Sequence, residues 1–259
     1  MKLKALLFAL CALFAAPSLA QGKAGPAKTT AQWWGHAAWI ITTPGGARIA
    51  IDPWLTNPKA PKDLPQPDKL DAILVTHAHF DHVGEAQALS KKTGAPIYGA
   101  GELIDLIGGE KDVGGNAGGT FRVKDATIHM VEAVHSSGYG DAKSGGPKYG
   151  GSPLGYIIQI DHGPTLYHAG DTDVFSSMAL FAEQFHPTVA FLPIGGHYTM
   201  GPSGAALAAK LLKVKVVVPM HYGTFPALTG TPAELKAELK RQHVPAKVEA
   251  PAPGGTLTF

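Results

Sequence analysis

The stretch VTHAHFDHVG, at positions 75 to 84, constrains this chain more than any other. It sets His77, His79, Asp81 and His82 inside six residues, in a chain of 259 residues with 12 histidines. The run before it, LDAILVT, is short, apolar and β-branched, which reads as a buried strand. In extended backbone, side chains two apart face one way, so His77 and His79 share a direction. Asp81 and His82 fall where the chain turns into a helix. The window offers two donors to one point and two to a neighbouring point. Burying so many polar groups together is costly unless something satisfies them. Imidazole nitrogens and carboxylate oxygens suit borderline cations such as zinc, manganese or iron. A solvated surface cluster is the bland alternative, but a strand this apolar should end close to the core.

Further donors lie downstream. ATIHMVEAVHSS alternates as a strand that ends near His135. PTLYHAGDT reads as a strand leading to Asp171, and VKVVVPMHYG as a strand leading to His221. Each donor sits at a strand end followed by a loop, where α/β folds place their chemistry. With the window they make five histidines and two aspartates, enough for two cations that share one carboxylate.

The remaining chain supplies a frame. QWWGHAAWIITT and ARIAID are apolar runs around PGG, a hairpin signal. HVGEAQALSKKTG reads as one helix closed by Gly94. APIYG is a strand, AGELIDLI a helix, and GGEKDVGGNAGGT a set of turns that lacks the Lys-Ser/Thr of a phosphate loop. Residues 137–153 form a long loop of the kind that borders active sites. LGYIIQI and TVAFLPI are strands, VFSSMALFAEQF, SGAALAAKLLK and TPAELKAELKRQ are helices, and GGTLTF is a last strand. Strands pair early and then alternate with helices. With no linker and no short repeat after residue 30, residues 31–259 read as one α/β domain.

The order THAHFDH, lone His135, GDT, then His221 resembles the metallo-β-lactamase superfamily. WWGHAAWIITTPGGARIAIDPWLTNP, GGNAGGTF, HSS, PIGGHYTMGP and PMHYGTFP extend the likeness over nearly the whole domain. They are similar to its uncharacterised metal-dependent hydrolase branch, near the ascorbate-phosphate lactonases. The resemblance implies an α/β fold of the four-layer αββα sandwich type, with two divalent ions per chain at one edge of the sheets. It implies that His77, His79 and His135 hold one ion, that Asp81, His82 and His221 hold the other, and that Asp171 bridges them. Asp52, in AIDPW, would support the histidine loop without binding metal. The implied chemistry is attack by a metal-bridging hydroxide on a lactone, ester or phosphoester bond, with Asp81 handling a proton. Affinity order favours zinc over manganese, and the all-N/O ligands also permit iron.

Residues 1–20, MKLKALLFALCALFAAPSLA, have two lysines, a short apolar run and a small-residue end. They read as a cleaved secretory signal rather than an anchor, and residues 21–30 as a flexible lead-in. The expected location is periplasmic or secreted. Cys11 is the single cysteine and leaves with the signal, so neither disulfides nor thiolate ligands remain. Losing Lys2 and Lys4 takes Lys+Arg from 22 to 20 against 20 Asp+Glu, a neutral balance. Nothing basic remains to recruit nucleic acid, and no membrane span is expected in the mature chain. The partner expected is a small-molecule substrate, with the oligomeric state unread.

Four further residues are candidates for substrate contact. His36, in WWGHAAW, either touches substrate or supports the site. His197 and Tyr198, in GGHYTMG, sit in a glycine-rich loop, and Tyr222 adjoins His221. The four tryptophans cluster early and suit core packing or a pocket wall. No G-x-S-x-G supports a serine hydrolase. Two rival functions stand beside the hydrolase. A periplasmic β-lactamase suits the compartment, but the mature chain lacks the cysteine ligand common in zinc β-lactamases and carries the bridging aspartate. A non-catalytic metal-binding protein would show the ligands without turnover.

Overall fold

The early apolar run builds the first sheet, with one correction. A computed structural model describes residues 28–259 except Glu110. In it QWWGHAAWIITT is not one strand but two, β1 (Thr30–Trp33) and β2 (Trp39–Thr42), which pair antiparallel. Gly35 and His36 both take the left-handed conformation between them and fold the run back on itself. The expected hairpin then joins β2 to β3 (Arg48–Ile51) across PGG. Next come β4 (Ala72–Leu74), β5 (Ile97–Ala100) and β6 (Val113–Gly115), all parallel. The strand β6 lies inside GGEKDVGGNAGGT, which read as turns. Its glycines carry no strand signal of their own, and pairing with β5 decides the outcome.

The second sheet begins with β7 (Thr120–Val123), β8 (Ala126–Glu132) and β11 (Leu154–Ile160), all antiparallel. It continues through β12 (Thr165–His168), β13 (Val189–Pro193), β14 (Val216–Met220) and the short β15 (Lys247–Val248), with parallel pairing after β12. The last strand, β16 (Thr256–Thr258), crosses back to pair with β1. Among the described residues each sheet thus has seven strands and changes from antiparallel to parallel midway. The 137–153 segment is not wholly irregular, since β9 (Gly138–Tyr139) and β10 (Lys148–Tyr149) form a small hairpin within it.

The sheets pack face to face on apolar side chains. Trp39 of β2 stacks on Trp33 at 5.8 Å and meets Phe191 of β13 edge-on at 4.8 Å. Burying one such ring contributes roughly 4–6 kcal/mol before ordering costs. Helices α1 (Phe80–Val83), α2 (Ala86–Thr93) and α3 (Gly101–Ile107) belong to the first half of the chain, and their Ala86, Leu89, Leu103 and Ile107 pack with the first sheet. Helices α4 (Met178–Phe185), α5 (Pro202–Leu212) and α6 (Pro232–Arg241) cover the outer face of the second through a separate core. The result is a four-layer αββα sandwich. The helix α6 shows its causes plainly. Thr231 and Glu234 form a reciprocal capping box, Pro232 sits at the first turn, and Lys240 and Arg241 close the last.

The single helix expected over HVGEAQALSKKTG is broken into α1 and α2. Gly84, at φ 42°, separates them, and a Cβ there would run into the backbone of Trp54. Gly94 closes α2 in the left-handed conformation, as expected. The lead-in also ends earlier than residue 30. Thr29 is buried and accepts from Phe259, and Thr30 already belongs to β1. The secretory segment at 1–20 lies outside the described residues. Among the described residues no helix is long and apolar enough to cross a membrane.

Candidate metal centre

Strand ends from both sheets converge on one edge of the sandwich. The chain leaves β4 into His77 and His79, and Asp81 and His82 follow in α1. His135 follows β8, Asp171 follows β12, and His221 directly follows β14. The sheets are tied together there. Leu154 donates to the Thr76 carbonyl at 2.8 Å, and His221 donates its backbone N–H to the His36 carbonyl at 3.1 Å. Gly170 holds Asp171 close to this seam. It sits at φ +62°, and a Cβ would lie 2.8 Å from the Leu154 oxygen and from Thr76.

The donors fall into two sets. His77 Nε2 and His79 Nδ1 face each other at 2.9 Å, and His135 completes a group whose ligand atoms all lie within 4.8 Å. Asp81, His82 and His221 form a second such group, together with His36. Asp171 lies between the sets. Its Oδ2 is 3.0 Å from His221 Nε2, 3.3 Å from His82 Nε2, 3.6 Å from His135 Nε2 and 4.0 Å from His77 Nε2.

Supporting hydrogen bonds decide which ring nitrogens are free. Thr76 Oγ1 donates its one proton to Asp52 Oδ2 at 2.8 Å. Toward His77 Nδ1, 3.1 Å away, it can only accept, so Nδ1 carries the proton and Nε2 presents a lone pair. His82 Nδ1 donates to Asp52 Oδ2 at 2.8 Å and turns Nε2 toward Asp171. Asp52 also accepts from the Thr76 backbone, so it fixes both histidines and the loop between them. His36 Nε2 donates to Asp81 Oδ2 at 3.0 Å and its Nδ1 meets Thr224 Oγ1 at 2.9 Å.

The electrostatics favour cations. Burial pushes the Asp81 carboxyl upward, but the His36 hydrogen bond and the nearby His82 outweigh it and hold Asp81 at about 2. Burial likewise opposes ionisation of Asp171, yet His221 and His82 hold it well below the usual carboxylate range. Burial disfavours charge on His82, but flanking Asp171 and Asp52 draw it well above its ordinary value. Burial holds His77 well below its ordinary value and His36 at about 4. A positive charge is thus wanted between the carboxylates. His82 Nε2, Asp171 Oδ1 and both His221 nitrogens are buried without hydrogen-bond partners. An unpaired buried polar atom costs about 1–3 kcal/mol. Divalent ions at the two sets would satisfy His82 Nε2, Asp171 Oδ1 and His221 Nε2, so the residues fit two such ions.

The sets floor a cavity of about 600 Å³, whose walls include Phe80, Ser136, Tyr198, Phe225, Pro226 and Ala227. The other sequence candidates fare differently. Tyr198 lines the cavity. His36 is fully buried and engages Asp81, so it supports the site rather than touching substrate. His197 is exposed, meets Tyr198 edge-on at 4.4 Å, and does not line the cavity. Tyr222 stacks on Trp33 at 5.6 Å and is also absent from the lining. Adjacent residues in the chain point to different layers here. Thr76, Ser136, Thr224, Phe80 and Phe225 were missed. Position beside a ligand marks the first two and Phe80, but equally marks residues that do nothing.

His36, Asp52 and His221 have φ values of 52°, 44° and 55°. Such left-handed residues cost about 1–3 kcal/mol each and persist where surrounding structure over-determines them. All three sit at the sheet edge and turn a side chain back into the cluster.

Comparison with known proteins gives the family. The family model for a β-lactamase superfamily domain matches residues 30–221. The chain is 62% identical over 234 residues to a UPF0173 metal-dependent hydrolase of Myxococcus xanthus, spanning 90% of this chain and 84% of that one. A second such hydrolase, from Anaeromyxobacter, is 48% identical over 93% of this chain and 90% of its own. Among solved structures, a metallo hydrolase from the archaeon Ignicoccus hospitalis superposes with a TM-score of 0.78 at 38% identity. That match covers 90% of this chain and 99% of the other.

Proposed function

Since the chain belongs to the metallo-β-lactamase superfamily and is a metal-dependent hydrolase of that fold, we propose that it is an exported, binuclear enzyme. It hydrolyses a lactone, ester or phosphoester bond of a small molecule. One observation carries the binuclear reading. A single Asp171 oxygen lies within 4.0 Å of Nε2 atoms from both donor sets, His77 and His135 on one side and His82 and His221 on the other. His77, His79 and His135 would hold one ion, Asp81, His82 and His221 the other, and Asp171 both. Bound divalent ions would polarise the bond under attack and supply a nucleophile from water near neutral pH. Zinc is favoured by affinity order, with manganese or iron the alternatives.

The chain's own residues do the rest. Asp52 and Thr76 hold the histidine tautomers that leave Nε2 free. His36 anchors one Asp81 oxygen, and Asp81 also lines the cavity. Held at about 2, Asp81 stays an anion, the form that can accept a proton. Its place at the cavity is what assigns it the transfer of a proton from water to the departing oxygen. For an ester, water's oxygen joins the acyl carbon, the C–O bond breaks, and one water proton ends on the alcohol. Asp81→Asn should then lower turnover far more than metal content, and equal losses would sink the role. Export rests on the signal-like composition of residues 1–20, and the small-molecule substrate on the cavity's size.

The test is an assay of purified protein, loaded with zinc or manganese, on a lactone, an aryl ester, a phosphodiester, a phosphomonoester and a cephalosporin. A His77→Ala, Asp171→Ala double variant is the blank. Turnover absent from the blank supports the reading and names the bond. Cephalosporin turnover alone would move the protein to the β-lactamases. Two bound ions with no turnover at all would favour a metal-binding protein without catalysis.

A further inference from the structure

We infer that the bond opened at this site is a neutral carboxylic ester or lactone with an apolar acyl group, and that Phe80 and Phe225 select it. The inference rests on the hydrolase reading above and narrows it.

Phe80 directly follows His79 and is 69% exposed. Phe225 lies four residues after His221 and lines the same cavity. Both rings rest on Trp54, Phe80 edge-on at 5.5 Å and Phe225 stacked at 5.9 Å, and they lie 6.5 Å from each other. Trp54 and Phe225 in turn meet the His36 ring edge-on at 5.4 and 5.7 Å. Phe80 and Phe225, backed by Trp54, therefore form an apolar wall on the Asp81 side of the cluster. Tyr198, 56% exposed, also lines the cavity. Large apolar rings open to water at a concave site mark where an apolar ligand is covered.

Charge points the same way. Among the described residues lining the cavity none is Lys or Arg, while Asp81 and Asp171 are both there. Phosphate recognition usually recruits such cations. Lys148 does not line the cavity but an adjoining groove that shares His135 and Ser136 with it. With divalent ions bound, the carboxylates leave a net positive centre. What disfavours a phosphoester is therefore the apolar pair Phe80 and Phe225 and the lack of a Lys or Arg for its outer oxygens.

The experiment compares 4-nitrophenyl acetate, octanoate, phosphate and bis(4-nitrophenyl) phosphate on the two-ion enzyme and on a Phe80→Ser, Phe225→Ser variant. Unchanged melting temperature and metal content show that the variant folds. Binding of 4-nitroacetanilide and 4-nitrooctananilide, which lack the scissile ester, is measured by calorimetry on both proteins. Octanoate should exceed acetate in kcat/KM by at least about tenfold and both phosphate esters by about a hundredfold. The octanoate preference should shrink to below about threefold in the variant, with the same loss of preference in anilide binding. Phosphate esters preferred over octanoate would overturn the inference and leave the hydrolase intact. Chain-length-dependent anilide binding without any turnover would sustain the apolar wall and sink the hydrolase. Equal chain-length preference in variant and wild type overturns the inference, and so does a dimer that the variant abolishes while keeping that preference.

Discussion

The two donor sets meet at Asp171 but are built differently. His77, His79 and His135 contribute only neutral nitrogens, and His79 and His135 are partly open to the cavity. Asp81, His82 and His221 are all buried and include a carboxylate. Behind the buried set stand Asp52 on His82, His36 on Asp81, and the His36 carbonyl on the His221 backbone. Behind the open set stand Thr76 on His77 and a long contact of 3.4 Å from Ser136 to His79. The buried half is held more firmly by the fold, although both halves reach the cavity, through Asp81 and His221 on one side and His79 and His135 on the other. An ion in the buried half meets two carboxylates and one in the open half meets one, so a hard ion such as manganese should prefer the buried half.

The largest effect tests what the halves share. Asp171→Ala removes the one oxygen near both sets, so both ions should leave and turnover fall by at least about a thousandfold. His135→Ala should instead leave about one ion per chain, because the buried set keeps all its donors. Elemental analysis after dialysis distinguishes the two. Equal metal loss from both variants would mean that the sets are not separable.

Next in size is the buried scaffold. Asp52 accepts from Thr76 twice and from His82 once, and is itself fully buried. Asp52→Ala strands all three donors and should cost about 3–5 kcal/mol in denaturant unfolding of the metal-free protein. Metal affinity should fall roughly 10–100-fold. Loss of affinity confined to the open half would contradict the division drawn above.

The parts of the centre also differed in how well they could be read from sequence, though not along the line between the halves. The His77 to His82 window was legible because neighbours two apart on a strand end must share a direction, a local rule. His135, Asp171 and His221 were legible only as donors at strand ends in a familiar order, since nothing local brings them together. Of the scaffold, Asp52 was legible only through the family resemblance and His36 only as one of two alternatives, while Thr76 and Thr224 were not legible. His36 meets Asp81 across 45 residues and Thr224 across 188, through left-handed backbone that tertiary contacts impose. The strand β6 and the break at Gly84 escaped for the same reason, because a partner strand or the Trp54 backbone decides them.

Protons separate the halves along the pH scale. Burial lowers His77, His79 and His135 in the folded metal-free protein. The unfolded chain binds those protons from about 6.5 downward, so stability present above 6.5 should be lost as pH falls below it. His36 and His168, each held at about 4, act in the same window. A buried histidine held there contributes up to about 3 kcal/mol. Asp81, held at about 2 against 3.8 for an ordinary carboxyl, adds stability that is lost only as pH falls from 3.8 toward 2. His82, drawn upward, is protonated in both states below 6.5, so its stabilisation is fully present there without adding slope, and is lost only as pH rises above 6.5. Melting temperatures of metal-free protein should therefore fall between pH 7 and 5, and fall again below 4. His77→Asn should soften the first fall and leave the second. A first fall unchanged by that substitution would remove the open half from the pH response.

The smallest effect is the sharpest test of the comparison. Ser136 is exposed and reaches His79 Nε2 only at 3.4 Å, so water can replace it. Ser136→Ala should change kcat/KM by less than about threefold. His36→Asn touches the buried half at the matching position, one residue behind a ligand, but no water can take its place beside Asp81 and Thr224. It should cost about 10–100-fold, chiefly in kcat, with metal retained in the open half. A supporting residue matters here to the extent that solvent cannot substitute for it. If both substitutions cost the same, burial would not be what divides the two halves, and the number of carboxylates would be the difference left to explain them.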